Sequence, residues 1–201
     1  MTSPRLHVCR SPRTEALRAA LTAGRADPAL ANAALVDIAR ELFSAMRAEA
    51  ARAVPVFVLR GGLLMRDAYR DVMGERPFGV VAPLRPVHEQ DPDVTYGSVP
   101  AGADRYLVAD VLTASGRTMT ACLAALRDRL GCDEGRLRVV TPFLSGYARD
   151  RLLRAHPRLH IHCVWHEERV DETGRMVGPG FDIGEYAFGG PPGGFVSWSR
   201  A

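Results

Sequence analysis

Short apolar runs alternate with helical segments through most of this 201-residue chain, and this alternation constrains the fold more than any other feature. The runs are rich in β-branched residues and predict five buried strands, at residues 54–59, 78–81, 106–110, 137–141 and 160–164. Helical segments lie between most of them. Strands separated by helices predict an α/β fold, in which a mostly parallel, twisted sheet is covered by helices on both faces.

The segment before the first strand has a helical pattern. Ser11-Pro12 and Asp27-Pro28 are typical helix starts, with an N-cap followed by proline at the first helical position. After the second start, apolar side chains recur every three to four residues and predict a long amphipathic helix, at Leu35, Ile38, Leu42 and Met46. We predict one domain, with a helical arm over residues 1–52, a core over 53–172 and a tail over 173–201.

One stretch of the core lacks a clear pattern. Residues 85–104 are polar, with several prolines and glycines and little periodicity. Such a stretch is typical either of an excursion over a site or of a loosely held β-hairpin. The sequence leaves both interpretations open.

The basic residues restrict the chemistry, because all 26 of them are arginine. Walker-type phosphate loops and Schiff-base chemistry both require lysine, so both are excluded. A net charge of +3 is too small to predict nucleic-acid binding, whereas the forked donors of arginine suit a polyphosphate ligand. No apolar run reaches the roughly 18 residues of a membrane helix, so we expect a cytoplasmic protein without membrane partners.

Residues 107–119 combine a buried strand, an acid at its end and a helix start. Backbone N–H groups at a helix start have no intrahelical partner and can bind phosphate. The Asp110 carboxylate, which only accepts hydrogen bonds, suits two neighbouring sugar hydroxyls. The residues expected to surround the phosphate are Thr113, Ala114, Ser115, Gly116, Arg117 and Thr118. Phosphate at one end and a diol at the other predict a ribose 5-phosphate site; a capped helix without a ligand is the alternative.

A second loop, Arg60-Gly61-Gly62, follows the first predicted strand. In parallel sheets, ligands bind beyond the carboxyl ends of the strands. The Asp110 loop also follows a strand. We therefore expect both loops at the ligand-binding edge of the sheet.

Several segments resemble, in order and spacing, the uracil phosphoribosyltransferase family, whose members have the type I phosphoribosyltransferase fold. Residues 110–118 are similar to its phosphoribosyl pyrophosphate loop, and residues 58–63 (Val-Leu-Arg-Gly-Gly-Leu) to its pyrophosphate loop, Ile-Leu-Arg-Ala-Gly-Leu. Leu84-Arg85 falls where the family has Leu-Tyr-Arg in a mobile hood. Residues 178–189 resemble its uracil-binding tail, and the N-terminal helices resemble its arm.

The resemblance implies transfer of phosphoribose from phosphoribosyl pyrophosphate to uracil, giving UMP and pyrophosphate. It implies catalytic roles for Asp110, Arg60 and Arg85, with further phosphoribosyl pyrophosphate contacts from Gly61, Gly62, Asp182 and the residues of the phosphate loop named above. Base binding would involve Phe181, Ile183, Gly184, Glu185, Tyr186 and Phe188. Mg²⁺ would be held mainly by substrate oxygens, without a protein metal site, and the family forms homodimers or larger homo-oligomers.

The chain departs from the family pattern where the base is recognised. The tail is one residue shorter between Phe181 and Asp182, and Glu185 and Tyr186 replace the family's Asp and Arg. Arg117 replaces a glycine and either contacts phosphate or faces solvent. Two alternatives follow: a transferase for a non-uracil acceptor in specialised biosynthesis, and a nucleotide-sensing, RNA-binding regulator on the same fold.

The histidines of the last predicted strand have H-x-H-x₃-H spacing, at His160, His162 and His166. Residues two apart on a strand share a face, so a metal pair is one interpretation. We favour surface and edge histidines without a metal, because the resemblance offers no metal there.

Overall fold

A computed structural model describes residues 5–23, 27–84 and 92–167. Within these residues, eight strands form one sheet in the order β1-β8-β7-β5-β2-β3-β4, and the short β6 pairs with β7. The strands are β1 (Leu6–Val8), β2 (Val54–Val58), β3 (Gly79–Leu84), β4 (Asp93–Ser98), β5 (Tyr106–Ala109), β6 (Leu112–Thr113), β7 (Leu137–Ser145) and β8 (His160–Glu167). All five predicted strands are present, although β3, β7 and β8 run past their predicted ends.

The first two helices begin at the prolines that the sequence signals. In order, the helices are α1 (Pro12–Ala23), α2 (Pro28–Ala45), α3 (Arg47–Ala50), α4 (Gly62–Met73), α5 (Arg117–Leu130) and α6 (Gly146–Ala155). The Asp27 side chain accepts hydrogen bonds from the first turn of α2, and the Ser145 hydroxyl accepts one from Ala148 N at 2.9 Å. Both side chains therefore act as N-caps.

Within the described residues, every strand pairing is parallel except that of β4 with β3. That antiparallel pair aligns Val80 with Ser98 and Leu84 with Asp93. Of the two interpretations of residues 85–104, the hairpin is therefore correct for the part that forms β4. The edge strand β1 was not predicted, because three residues pairing with distant β8 leave too short a local pattern.

Two hydrophobic layers enclose the sheet. On one face, α2 buries Leu35, Ile38 and Phe43 against Phe57 of β2 and Trp165 of β8. On the opposite face, Met119 and Leu123 of α5 and Leu152 of α6 form a buried cluster with strand residues. These are Val56, Val108 and Val139. Alternate side chains of a strand point to opposite faces, so each strand contributes to both layers. The predicted helix-covered α/β sheet is confirmed.

The sheet order places β5 between β2 and β7. Val56 pairs with Val108 and Val108 with Val139, so these three parallel strands end at the same edge. The loops after β2 and β5 consequently lie side by side. Among the described residues, no helix has the length and apolar character to span a bilayer.

Candidate active site

The two predicted ligand loops are in direct contact. A Cβ atom added to Gly61 would overlap Asp110 Oδ1 and would lie 2.9 Å from Val111 Cγ1. A Cβ added to Gly62 would lie 2.9 Å from the Ala109 carbonyl oxygen. Only glycine allows this approach, so the Gly-Gly pair brings the loop after β2 against the start of the loop after β5.

Arg60 lies immediately before this glycine pair. Its side chain is exposed, and the Leu59–Arg60 peptide bond is cis. Leu59 N donates to Val81 O at 2.9 Å, which ties the end of β2 to β3, while Arg60 O accepts from Leu63 N at 3.0 Å in the first turn of α4. The backbone on both sides of Arg60 is therefore anchored.

Asp110 is held in place at the carboxyl end of β5. Its backbone N–H donates to Val140 O at 3.2 Å, and its Oδ1 accepts from Val111 N at 2.8 Å. Burial, and secondarily the Asp110 charge, raise the pKa of the Cys122 thiol to about 12. Cys122 is thus a protonated core residue next to the carboxylate rather than a nucleophile.

The phosphate loop is fastened to the start of α6. The Ser145 hydroxyl donates to Ala114 O while accepting from Ala148 N at 2.9 Å. Gly116, the N-cap of α5, has φ of 73°, and a Cβ there would lie 3.1 Å from Ala148 Cα. Sequence analysis did not place Ser145 at the site, because its contact with the loop depends on β6 lying beside β7.

The hydroxyl-bearing residues of the loop differ in burial and in hydrogen-bond partners. Thr113 is 4% exposed and donates to Thr141 Oγ1 at 3.1 Å, which in turn donates to Phe143 O at 3.1 Å. Ser115 and Thr118 are half-buried, and Ser115 Oγ accepts from Arg117 N at 3.4 Å. The Thr113 hydroxyl proton is therefore engaged inside the protein, and a phosphate contact from this hydroxyl stays a prediction.

The first turn of α5 completes the arrangement. This 14-residue helix begins at Arg117, and Thr120 N donates to Gly116 O at 2.9 Å. The preceding N–H groups of a helix lack intrahelical acceptors, and the helix dipole favours an anion there. An acid, an arginine and a helix start meeting at one edge can bind a phosphorylated sugar with its hydroxyls toward the acid.

Comparison with protein families decides where the chain belongs. The family model described as uracil phosphoribosyltransferase matches residues 20–190. The chain belongs to the uracil phosphoribosyltransferase family. It is thus a phosphoribosyltransferase, as the loop motifs indicated.

Solved structures share the fold of this phosphoribosyltransferase. The AQ2163 protein from Aquifex aeolicus superposes with a TM-score of 0.78 at 14% identity, covering 93% of this chain and 99% of that one. The APRTase from Giardia lamblia, complexed with 9-deazaadenine, has a TM-score of 0.51 at 17% identity, covering 68% and 81%. At these identities the likeness shows the type I phosphoribosyltransferase fold and nothing about the acceptor.

Several predicted site residues of this phosphoribosyltransferase lie outside the described residues. They are Arg85 of the hood and the tail residues Phe181, Asp182, Ile183, Gly184, Glu185, Tyr186 and Phe188. Their roles stay predictions. The described part of the site consists of the Arg60 loop, Asp110 and the phosphate loop.

His160 and His162 lie with His7 in a cluster that sequence reasoning missed. His162 is 5% exposed, and its ring stacks on the His7 ring with the centroids 4.5 Å apart. The His162 Nε2 atom lies 3.1 Å from Glu49 Oε2. The expectation of surface histidines is wrong for His162. The strand β1 pairs alongside β8, and His7 of β1 stacks on the His162 ring. Within the described ranges, no group of three His, Cys, Asp or Glu residues could hold a metal ion.

Proposed function

We propose that this phosphoribosyltransferase uses uracil as its acceptor and converts phosphoribosyl pyrophosphate and uracil to UMP and pyrophosphate. The contact between Gly61 and Asp110 supports phosphoribosyl pyrophosphate as the donor, and membership of the uracil phosphoribosyltransferase family supports uracil as the acceptor. The contact joins the loop that resembles the family's pyrophosphate loop to the acid of the loop that resembles its phosphoribosyl loop. One substrate molecule can then be held by both loops at once.

In the proposed complex, the 5-phosphate binds at the start of α5 and the ribose hydroxyls donate to Asp110. Asp110 Oδ1 already accepts from Val111 N, so the carboxylate is oriented before substrate arrives. Such fixed positioning lowers the entropic cost of reaching the transition state, and we expect it to account for a large part of the catalysis.

Arg60 would neutralise charge on the leaving group. The C1–oxygen bond to pyrophosphate breaks while a bond from C1 to a nitrogen of the base forms, so negative charge grows on the pyrophosphate. Preorganised cationic donors stabilise developing charge of this kind. Arg60 is exposed and directly precedes Gly61, the residue that contacts Asp110. Arg85 would add a second guanidinium group.

Mg²⁺ suits this donor set. The ion prefers oxygen ligands and keeps several waters, so pyrophosphate and ribose oxygens would supply most of its ligands. Asp110 is the carboxylate that could add a protein oxygen or hold a coordinated water. Bound there, the ion would supply further neutralisation of the leaving pyrophosphate.

The identity of the acceptor is tested directly, because the tail that resembles the family's uracil-binding segment is one residue shorter. Purified protein is mixed with phosphoribosyl pyrophosphate, Mg²⁺ and uracil, and UMP and pyrophosphate are measured. UMP formation supports the proposal. Product from another heterocycle but none from uracil would reject uracil while keeping transfer to a heterocycle, and the shortened tail motivates that panel.

A variant pair tests the role of Asp110. Asp110→Asn should lower turnover by about a hundredfold or more while the protein stays folded, because the neutral amide loses the acceptor charge. Asp128→Asn is the matched control, since Asp128 lies exposed on α5 and pairs with Arg127 at 3.0 Å. Unchanged turnover in Asp110→Asn would remove this residue from the site.

A further inference from the structure

The hydroxyl group of Ser145 joins the phosphate loop to the start of α6. Ser145 is fully buried and has the extended backbone of an N-cap, with φ of −82° and ψ of 155°. Its Oγ donates to Ala114 O and accepts from Ala148 N at 2.9 Å. One hydroxyl group therefore holds both the loop backbone and the first turn of the helix.

The strand register explains why this hydroxyl reaches the loop. The short β6 pairs Thr113 with Leu144, so the next residues of the two segments, Ala114 and Ser145, follow opposite each other. Strand β6 ends at Thr113. The Ser145 side chain thus supplies a hydrogen bond to the loop just beyond the point where the backbone pairing stops.

A second contact restrains the loop on the other side of Ser115. A Cβ atom added to Gly116 would lie 3.1 Å from Ala148 Cα and 3.3 Å from Ala148 O. The start of α6 therefore contacts the loop at Ala114 and at Gly116, with Ser115 between them. The Ala114–Ser115 peptide group is trans, and the C=O and N–H bonds of a planar trans peptide point in opposite directions. Holding Ala114 O toward Ser145 consequently turns the Ser115 N–H away from α6.

We propose that Ser145 is a positioning residue for the phosphate end of the donor: its hydroxyl orients the Ser115 N–H toward the 5-phosphate of phosphoribosyl pyrophosphate. Within the described part of the chain this N–H has no acceptor, so it can donate to a phosphate oxygen. A hydrogen bond to an anion is stronger than one between neutral groups. This role rests on the donor of the proposed function, and it is independent of the acceptor.

The test is a calorimetric titration of the full chain with phosphoribosyl pyrophosphate and Mg²⁺, without an acceptor. Ser145→Ala should raise the dissociation constant about tenfold, because a hydrogen bond to a charged group is no longer aligned. Pyrophosphate alone should bind wild type and Ser145→Ala equally, because its expected contacts are with the Arg60 loop. A general loss of structure would weaken the binding of both ligands.

Three further variants separate positioning from helix capping. Glycine is nearly as good an N-cap as serine but has no hydroxyl, so Ser145→Gly should weaken phosphoribosyl pyrophosphate binding as much as Ser145→Ala does. Ser145→Thr keeps the hydroxyl and should bind close to wild type. Asp27→Ala is the matched control, since it removes the side-chain cap of α2 on the opposite face of the sheet. It should lower the midpoint of thermal unfolding without changing the dissociation constant.

The pattern of losses decides the outcome. Weaker phosphoribosyl pyrophosphate binding by both Ser145→Ala and Ser145→Gly, with pyrophosphate binding unaffected, would support the role of the hydroxyl. Wild-type affinity in Ser145→Ala, wild-type affinity in Ser145→Gly, or an equal loss of pyrophosphate binding would overturn it. No binding of phosphoribosyl pyrophosphate by wild type would reject the donor of the proposed function, and this role of Ser145 with it. Failure to use uracil would leave every titration unchanged.

Discussion

The two edges of the sheet are built in opposite ways. At the carboxyl edge, the loops are packed against each other and tied to neighbouring elements through Gly61, Gly116 and Ser145. At the amino edge, Arg52 and Arg136 line an open groove of about 650 Å³. The difference teaches that close contacts at glycines and a capped helix start fix the loops of the carboxyl edge, whereas the arginines of the amino edge stay open to solvent.

The largest effect is expected where the carboxyl edge is tightest. Gly61→Ala would force the new Cβ against Asp110 Oδ1, and the carboxylate would have to move. A displacement of about 1 Å can lower activity about a hundredfold, so we expect a loss of this order in kcat/KM for phosphoribosyl pyrophosphate. Kinetics with uracil as acceptor, alongside thermal unfolding, measure it.

Gly97→Ala is the control for that variant. A Cβ there would lie 3.5 Å from Val81 Cγ1, an ordinary contact, on the edge strand β4. We expect its activity to stay near wild type. If Gly61→Ala were equally active, the contact between the two loops would have no catalytic importance.

A smaller effect is expected at the amino edge, where a buried ion pair supports the groove. Glu49 Oε1 accepts from Arg138 Nε at 2.7 Å, and Arg138 also donates to Gly135 O at 2.7 Å in the groove lining. Glu49→Gln should lower the free energy of unfolding by about 2 kcal/mol, since a charge-assisted hydrogen bond is weakened and Arg138 stays buried. Urea unfolding measures this loss.

Glu41→Gln serves as the comparison, because Glu41 pairs with the exposed Arg13 at 2.9 Å. A surface pair of this kind contributes about 0.5 kcal/mol. Equal losses in the two variants would mean that the Glu49–Arg138 pair is no more important than a surface pair.

Acid should weaken the same cluster. Contact with His162 and the Arg138 hydrogen bond lower the pKa of Glu49 from 4.5 to about 2, and burial lowers the pKa values of His7 and His160 from 6.5. The folded state therefore binds fewer protons than the unfolded state. Stability from the histidines is complete above pH 6.5 and is lost as pH falls below it, and stability from Glu49 is lost below pH 4.5.

Denaturation between pH 7 and 5 tests the histidine contribution. His7→Gln should reduce the loss of unfolding free energy over this interval, because one titrating group next to His160, His162, Glu49 and Arg138 is removed. An unchanged pH dependence would mean that His7 does not titrate in this window with a lowered pKa.

The smallest effect is expected at Thr113. Thr113→Val removes the hydrogen bond to Thr141 and should cost about 1 kcal/mol of stability while kcat/KM changes little. Thr95→Val, on the exposed strand β4, is the control and should cost less. A large rise in KM for phosphoribosyl pyrophosphate with unchanged stability would instead support the phosphate contact predicted from the sequence.

The sequence by itself determined five of the strands, the first helix starts and the two loops. These features depend on local physics: β-branched runs predict strands, Asp27-Pro28 predicts a helix start, and parallel strands end at one edge. For the same reason the sequence predicted that Arg60 and Asp110 lie at one edge of the sheet, where Gly61 contacts Asp110.

Only the tertiary structure decided which distant residues share a surface. Arg105 and Arg136 are far apart in the chain, and the register of β5 and β7 places them at equivalent positions before adjacent strands. The burial of His162 beneath β1 and the hydrogen bond that engages the Thr113 hydroxyl arise in the same way. Strand order and register are set by pairing between residues far apart in sequence, which no local pattern encodes.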